Sequence, residues 1–197
     1  MEPNIMPNSG SDVQPEVTPA GQKKPINVKK EIIEWVKALA VALIAVLLIR
    51  TFIFTMIRVD GNSMMETLHD GDRIASTIID LKLNGPKRGE IVICTYPNGT
   101  HLVIKRVIGM PGDTVAVVDG QTLVNGVPLD EPYVEHPKNG EFFPPVTLGE
   151  DEYFVMGDNR AVSRDSRDPS VGPLKRDAIS AKAQLRIWPL GDMGLVR

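Results

Sequence analysis

The stretch His101-Leu102-Val103-Ile104-Lys105-Arg106-Val107-Ile108-Gly109-Met110-Pro111-Gly112-Asp113 contains a strand and the turn that ends it. Its first half is rich in β-branched and apolar residues, and the Pro and Gly that follow are typical of turns. Alternation along a strand puts Val103, Lys105 and Val107 on one face. Lys105 is therefore predicted to share a face with apolar residues.

A lysine at such a position has two interpretations. It is usually a charged residue on an edge strand, where it discourages pairing with other chains. Alternatively it is a buried amine, whose pKa burial lowers by up to about 3–5 units from about 10.4, so that it becomes a base near neutral pH. Such an amine can replace histidine as the base that activates a serine.

Further strands are predicted on both sides of this one, because runs of β-branched and aromatic residues alternate with Gly, Pro, Asn and Asp clusters. The predicted strands are Arg73–Ile79, Glu90–Tyr96, Leu102–Ile108, Thr114–Val118, Gln121–Val124, Tyr153–Met156 and Ala178–Trp188. Asp119-Gly120 and Asn125-Gly126 are typical two-residue hairpin turns. Residues 51–197 are therefore predicted to form one mainly β, antiparallel domain, with a loop-rich insertion at about 119–152.

The N-terminal part has a different character. Residues 1–22 carry four prolines and two glycines without apolar periodicity, so a disordered tail is predicted. A basic flank and a helix follow over residues 23–50. The 18 residues Ile32 to Ile49 would extend about 27 Å as a helix, enough for a membrane span if Lys37 reaches back to the surface. Five lysines lie in residues 23–37, which predicts a cytoplasmic N-terminus and an extracytoplasmic domain.

Two alternatives to a membrane anchor remain open. Ala38 to Ile49 is an uninterrupted apolar run of only twelve residues, which also fits a buried helix of a soluble protein. A cleavable secretion signal is the other alternative, but a polar stretch of more than twenty residues before the lysines fits it poorly.

Length and composition exclude several classes of protein. The 197 residues suffice for one domain and an anchor, and 42% hydrophobic with 24% charged residues is near the globular average. With 22 basic and 25 acidic residues, the net charge of −3 gives no general attraction for nucleic acid. The single cysteine, Cys94, excludes an internal disulfide and a multi-cysteine zinc site. No serine lies in a Gly-x-Ser-x-Gly elbow, and the histidines form no recognisable triad pattern.

A set of short motifs identifies the chain by resemblance. They are Ser63-Met64 with Thr67-Leu68, Gly71-Asp72, Arg88-Gly89-Glu90-Ile91-Val92, Lys105 to Asp113, and Gly157-Asp158-Asn159-Arg160 with Ser163 and Asp165-Ser166-Arg167. Over about residues 30–197 the chain resembles the membrane-anchored type I signal peptidases, Ser/Lys proteases that cut signal peptides from exported proteins. The resemblance implies an antiparallel β catalytic body, similar to that of the SOS-response repressor proteases, with one N-terminal transmembrane helix.

The resemblance also implies roles for individual residues. Ser63 corresponds to the nucleophile and Lys105 to the general base. Ser163 corresponds to a hydroxyl that orients the base, and Asp165 with Arg167 to an ion pair that supports the region. Without the resemblance, residues 157–167 would be interpreted as a polar turn.

Two positions depart from the family pattern. Some members have a serine two residues before the nucleophile as the second oxyanion donor, but here Gly61 has no hydroxyl, so a backbone group or water is expected, as in single-anchor members of Gram-positive-type bacteria. Glu66 stands where the family usually has proline, which would fix φ and remove a donor. Altered efficiency rather than inactivity is expected from Glu66.

The implied substrate is a secretory preprotein that binds as an extended strand and is cut after small residues at −1 and −3. Apolar residues are expected to wall the pockets for these side chains, although each of them also fits an ordinary core position: Ile57, Val59, Met64, Leu68, Val103 and Ile104. The expected partners are preproteins and the lipid bilayer, without nucleic acid, metal or organic cofactor, and the enzyme is expected to be a monomer.

Two other functions compete with this one. A Ser/Lys autoprotease related to the SOS-response repressors would have the same β fold, but no DNA-binding helix pair precedes it here. A catalytically silent, membrane-anchored β domain that binds exported proteins is favoured only by Glu66. A synthetic precursor distinguishes all three, because a self-cleaving protein would cut only itself and a scaffold would cut nothing.

Overall fold

The computed structural model describes residues 28–52, 54–97 and 99–196, with side chains except those of residues 48–52 and 54. The predicted disordered tail, residues 1–22, lies outside these ranges. The described residues divide into two units, one that ends at Val41 and a second that begins at Ala42. The helix predicted after the basic flank is present as α1, Val28–Phe52.

Among the described residues, no helix combines the length and the hydropathy that crossing a membrane requires. The predicted span from Ile32 to Ile49 runs past the described side chains of α1, which end at Leu47.

The second unit is a mainly antiparallel β structure, as predicted. The described strands are β1 Phe54–Arg58, β2 Arg73–Thr77, β3 Ile91–Thr95, β4 Leu102–Gly109, β5 Thr114–Val118, β6 Gln121–Val124, β7 Val127–Pro128, β8 Phe143–Thr147, β9 Glu152–Met156, β10 Leu174–Lys175, β11 Ile179–Trp188 and β12 Gly194–Leu195. All seven predicted strands are found, with ends that differ by at most two residues.

The large sheet places the strand of Lys105 in its interior. Its order is β1-β2-β11-β3-β4-β9-β10, with β12 on β11, so β4 has a neighbour on each side. In the antiparallel register, Lys105 lies opposite Val92 of β3, and Val107 lies opposite Val155 of β9. The edge-strand interpretation of Lys105 is therefore wrong.

Both faces of β4 are covered by apolar side chains. Val107 belongs to one buried cluster together with Val92, and Val103 packs against that cluster. Ile104, on the opposite face, belongs to a second cluster with Met64. The predicted alternation is therefore correct. The Lys105 side chain leaves β4 on the same face as Val103 and Val107, which pack in the core.

The predicted loop-rich insertion contains a small sheet of order β7-β6-β5-β8. Its two hairpin turns were predicted correctly, since Asp119 and Asn125 have φ of 51° and 54°. Strand β8 was missed because its sequence, FPPVT, contains two prolines. Prolines are compatible with β8 because it is an edge strand and needs donors on one side only.

One helix was also missed. The predicted strand Arg73–Ile79 ends at Thr77, and helix α2, Ile79–Asn84, follows. Its six residues, IDLKLN, are too few to show helical periodicity. Leu81 is the one residue of α2 that is buried, so tertiary packing fixes this turn of helix.

Gly109, at the end of β4, provides a test of this packing. A Cβ there would lie 2.6 Å from side-chain atoms of both Leu148 and Val115, and 2.9 Å from Phe154 Cβ. Gly109→Ala is therefore expected to lower the free energy of unfolding by about 1–3 kcal/mol, as overpacked cores do. Urea denaturation of the full chain in detergent measures this.

The matched control is Gly191→Ala, because a Cβ at Gly191 meets no atom within 4 Å. It should change stability by less than about 0.5 kcal/mol. Equal stability of the two variants would contradict the described contact between the two sheets.

Candidate active site

Ser63 lies in the loop between β1 and β2. The neck of this loop is closed by backbone hydrogen bonds, with the Val59 N–H donating to Asp72 O at 2.8 Å and the Gly71 N–H to Val59 O at 3.0 Å. Two residues of this loop, Met64 and Leu68, are buried in the core, with 1% and 0% of their surface exposed. The packing of these apolar side chains anchors the loop and fixes the position of Ser63.

Lys105 reaches Ser63 from β4. Its Nζ lies 2.6 Å from Ser63 Oγ and donates to Ile104 O at 3.0 Å, and only 3% of the residue is exposed. Burial lowers the pKa of the Lys105 amine, while the negative charge of Asp165 acts in the opposite direction. The structure thus brings together the two residues predicted as nucleophile and base, separated by 42 positions in the sequence.

A buried ion pair joins the strand of Lys105 to the serine loop. Arg106 donates from Nε and Nη2 to the two carboxylate oxygens of Asp158, at 2.9 and 2.6 Å. Thr67, in the serine loop, donates from Oγ1 to the same carboxylate at 2.6 Å. Asp158 is completely buried, so this network holds the two halves of the site in register.

Residues 157–167 form a loop that lies against the serine. A Cβ on Gly157 would overlap both the carbonyl oxygen of Ser63 and the hydroxyl of Ser163, so only glycine fits this close approach. The Asn159 N–H donates to the Ser63 carbonyl at 3.1 Å. Ser163 is thus close to the site, and its hydroxyl is also one of the groups that lower the pKa of the Asp165 carboxyl.

Asp165 and Arg167 form the predicted ion pair. Arg167 donates from Nε and Nη2 to the two oxygens of Asp165, both at 2.8 Å, and the Gly157 N–H donates to Asp165 at 3.0 Å. Burial raises the pKa of the Asp165 carboxyl, but the hydrogen bonds and charge of Arg167 outweigh it and hold the pKa below its usual value. A fixed negative charge therefore stands near the Lys105 amine.

The two oxyanion donors expected from the family pattern have different surroundings. In the described part of the chain no oxygen accepts a hydrogen bond from the Ser63 N–H, so this donor is available. The Gly61 N–H instead donates to Asp70 Oδ1 at 2.9 Å. The backbone N–H of Gly61 is therefore engaged within the protein, and a backbone group or water as the second donor stays a prediction.

The residues predicted as pocket walls lie in two parts of the core. Val59, Met64, Leu68 and Ile104 are members of one buried cluster, against which Ile57 packs. Val103 is partly buried and packs against the other cluster of β4. In this structure these side chains have core positions, and a pocket role stays a prediction.

Contacts from the insertion were not predicted. Glu66 interacts with two histidines, His69 at 3.0 Å in its own loop and His136 at 3.1 Å in the insertion. The sequence carried one signal, the unusual Glu66, but nothing in it indicated His136 as a neighbour. Within the described residues, no group of three or more His, Cys, Asp or Glu side chains is arranged to hold a metal ion.

Comparisons with known proteins identify the family of this chain. The family model described as signal peptidase, peptidase S26, matches residues 32–188. The chain is 38% identical over 181 residues to signal peptidase I of Bacillus licheniformis, which covers 87% of this chain and 97% of that one. It is 37% identical over 179 residues to signal peptidase I S of Bacillus subtilis, covering 85% and 95%.

A solved signal peptidase I from Enterococcus faecalis is 33% identical and aligns with a TM-score of 0.42 over 49% of this chain and 95% of that one.

The family model and the two Bacillus relatives define the class of this protein, a peptidase. Its body is mainly antiparallel β structure. The chain belongs to the signal peptidase family, peptidase S26. The resemblance to type I signal peptidases seen in the motifs is thereby confirmed.

The pKa of Lys105 tests the electrostatics of the site. Nuclear magnetic resonance of isotope-labelled lysine should give a Lys105 pKa below 10.5, because burial disfavours the ammonium form. Asp165→Asn should lower it further, because the carboxylate that favours the ammonium form is removed.

The control is Asp168→Asn, which removes a partly exposed carboxylate just after this loop and should leave the Lys105 pKa unchanged, because Asp168 is not among the charges that act on Lys105. Thermal unfolding of each variant checks that the body stays folded. A Lys105 pKa of 10.5 or above, or an unchanged value in Asp165→Asn, would contradict the described environment.

Proposed function

We propose that this chain is a membrane-anchored serine endopeptidase that removes N-terminal signal peptides from exported preproteins. The observation that supports this best is the 2.6 Å approach of the buried Lys105 amine to Ser63 Oγ. A serine is a weak nucleophile unless a base takes its proton, and a lysine serves as that base only when its pKa is lowered. Burial supplies the lowering here.

The proposed reaction begins with neutral Lys105. Ser63 Oγ attacks the scissile carbonyl as the amine takes the serine proton, and the resulting ammonium gives that proton to the leaving amine. The Ser63 N–H stabilises the oxyanion of the tetrahedral intermediate. Lys105 then activates a water that hydrolyses the acyl-enzyme. The rate should rise with pH through the pKa of Lys105, since only the neutral amine accepts a proton.

The substrate is proposed to bind as an extended strand. Strand β1 is an edge of the large sheet and leads directly into the Ser63 loop, so its outer backbone groups offer a place for strand addition. Alternate side chains of an added strand point to the same face. Recognition of small residues at −1 and −3 follows from this alternation, with the cut after −1.

The anchor is proposed from the sequence around α1. The large apolar side chains from Leu39 to Leu47 are each more than half exposed, which does not fit a helix buried in a protein core. A lipid phase would cover them. The lysine bias places the N-terminus in the cytoplasm and the catalytic body outside it. The enzyme is proposed to act as a monomer at the plasma membrane.

Replacement of the two central residues tests the chemistry. Ser63→Ala should abolish cleavage of a precursor with an Ala-x-Ala site, and Lys105→Ala should lower it at least about 100-fold, because a general base contributes 10²–10⁴-fold. Ser170→Ala and Lys175→Ala are matched controls on the surface and should keep normal turnover. Gel analysis of precursor and mature product in detergent measures the rates.

The same assay separates the alternatives. Near-normal turnover by Ser63→Ala or Lys105→Ala would overturn the proposed dyad. Cleavage of the chain itself without cleavage of the precursor would indicate an autoprotease, and binding without cleavage would indicate a scaffold.

The anchor has its own test in the full chain. Val41→Arg places a charge near the centre of the proposed span, where it disfavours insertion by about 2.5–3.5 kcal/mol. The variant should shift from the membrane pellet to the supernatant after alkaline carbonate washing. Leu83→Arg, at an exposed site of α2, should stay in the pellet. Equal partitioning of both variants with the unsubstituted chain would count against the span.

A further inference from the structure

The segment 129–142 connects β7 to β8 without regular secondary structure. We call it the strap. Its ends are fixed to the small sheet, because the Leu129 N–H donates to Thr122 O at 2.9 Å and the Gly120 N–H donates to Glu141 O at 3.0 Å. The strap is therefore a defined piece of the body rather than a loose insertion.

Two acidic residues of the strap pair with the loop that supports the base. Glu131 accepts from the Arg160 guanidinium, and these two side chains are 9% and 2% exposed. Glu141 pairs with Arg167, with side chains 13% and 6% exposed. Both arginines lie in the 157–167 loop, and Arg167 also holds Asp165. The strap is thus fastened by nearly buried charges to the loop beside Lys105.

A third contact reaches the strand of the base itself. The Arg106 guanidinium lies 3.8 Å above the centre of the Tyr133 ring. Arg106 is the neighbour of Lys105 and pairs with Asp158. Tyr133 thereby covers this ion pair, as a cation–π contact of this kind is favourable where water is excluded.

The fourth contact reaches the loop of the nucleophile. His136 Nε2 lies 3.1 Å from Glu66 Oε1, and His69 Nε2 lies 3.0 Å from Glu66 Oε2. These side chains are 38–48% exposed, so this fastening is the weakest of the four. It also ties the strap to residues 61–68.

We propose that Glu66 is a positioning residue that fastens the nucleophile loop to the strap through His136, so that the strap holds the Ser63 loop and the Lys105 support in one arrangement. The inference rests on the proposed function in that Ser63 and Lys105 are taken as the reacting pair. Glu66 itself touches no reacting atom and acts through the position of its loop.

The charge pattern supports this role for Glu66. Hydrogen bonds from His136 and then His69 hold the pKa of the Glu66 carboxyl below its usual value, so the group is an anion over the working range. The two histidines are the charged or titratable groups that act on this carboxylate among the described residues. An anion between two imidazoles can bridge two chain segments that are 70 residues apart.

Reciprocal hydrogen exchange tests the link in the full chain. Glu66→Ala should speed amide exchange in the strap, and His136→Ala should speed exchange in residues 61–68, because coupling between two segments acts in both directions. An exposed pair of this type changes an opening equilibrium roughly 1.5- to fivefold. The double variant should show no larger change than the larger single one, since both substitutions remove the same contact.

The matched control is His69→Ala, which removes the other imidazole on Glu66 and should leave strap exchange unchanged. If His136→Ala speeds amide exchange in the strap but leaves exchange in residues 61–68 at the rate of the unsubstituted chain, the proposal is wrong. Additive effects of Glu66→Ala and His136→Ala would overturn it equally.

Precursor cleavage by the same variants separates this inference from the proposed function. A fall in kcat/KM of similar size, mainly in kcat, is expected for Glu66→Ala and His136→Ala. If amide exchange is coupled as expected but the unsubstituted chain cuts no precursor, the role of the strap stands and the proposed peptidase reaction is wrong. If the unsubstituted chain cuts the precursor but exchange in the two segments is not coupled, only the proposed role of Glu66 and the strap is wrong.

Discussion

The burial of the Lys105 amine is the constraint on which the arrangement of the surrounding charged groups depends. Lys105 is almost fully buried, and its hydrogen bonds go to a serine hydroxyl and a backbone carbonyl rather than to a carboxylate. A carboxylate in direct contact would stabilise the ammonium form and raise the pKa of the amine. The fold instead keeps Asp165 and Asp158 occupied with arginines, so their charges reach Lys105 only from a distance.

This arrangement explains why so many charged groups are buried around one lysine. An unpaired buried charge is expensive, whereas a pair with complete hydrogen bonding is tolerated. Within the Arg106–Asp158 pair and within the Arg167–Asp165 pair, each charge is compensated by its partner. Each pair also hydrogen-bonds a backbone group, and Asp158 accepts from the Thr67 hydroxyl as well. They are best understood as a frame that fixes the geometry around Ser63 and Lys105, with limited net effect on stability.

The strap extends this frame to the outside of the molecule. Nearly buried Glu131 and Glu141 fasten it to the loop beside Lys105, and the more exposed Glu66 and His136 fasten it to the loop of Ser63. Because exposed pairs contribute less than buried ones, the contact with the Ser63 loop is the easier one to loosen. Glu66, which departs from the expected family pattern, thus has a partner in the insertion.

Local patterns in the sequence determined the β class, seven strands and two hairpin turns, because alternation and turn chemistry are properties of neighbouring residues. The pair Ser63 and Lys105 was predicted from the family motifs. Strand β8, helix α2 and the central place of β4 came only from tertiary structure, since edge position and packing overrode the prolines and the short helical segment. The Glu66–His136 contact likewise depends on how the insertion folds back, which no local spacing encodes.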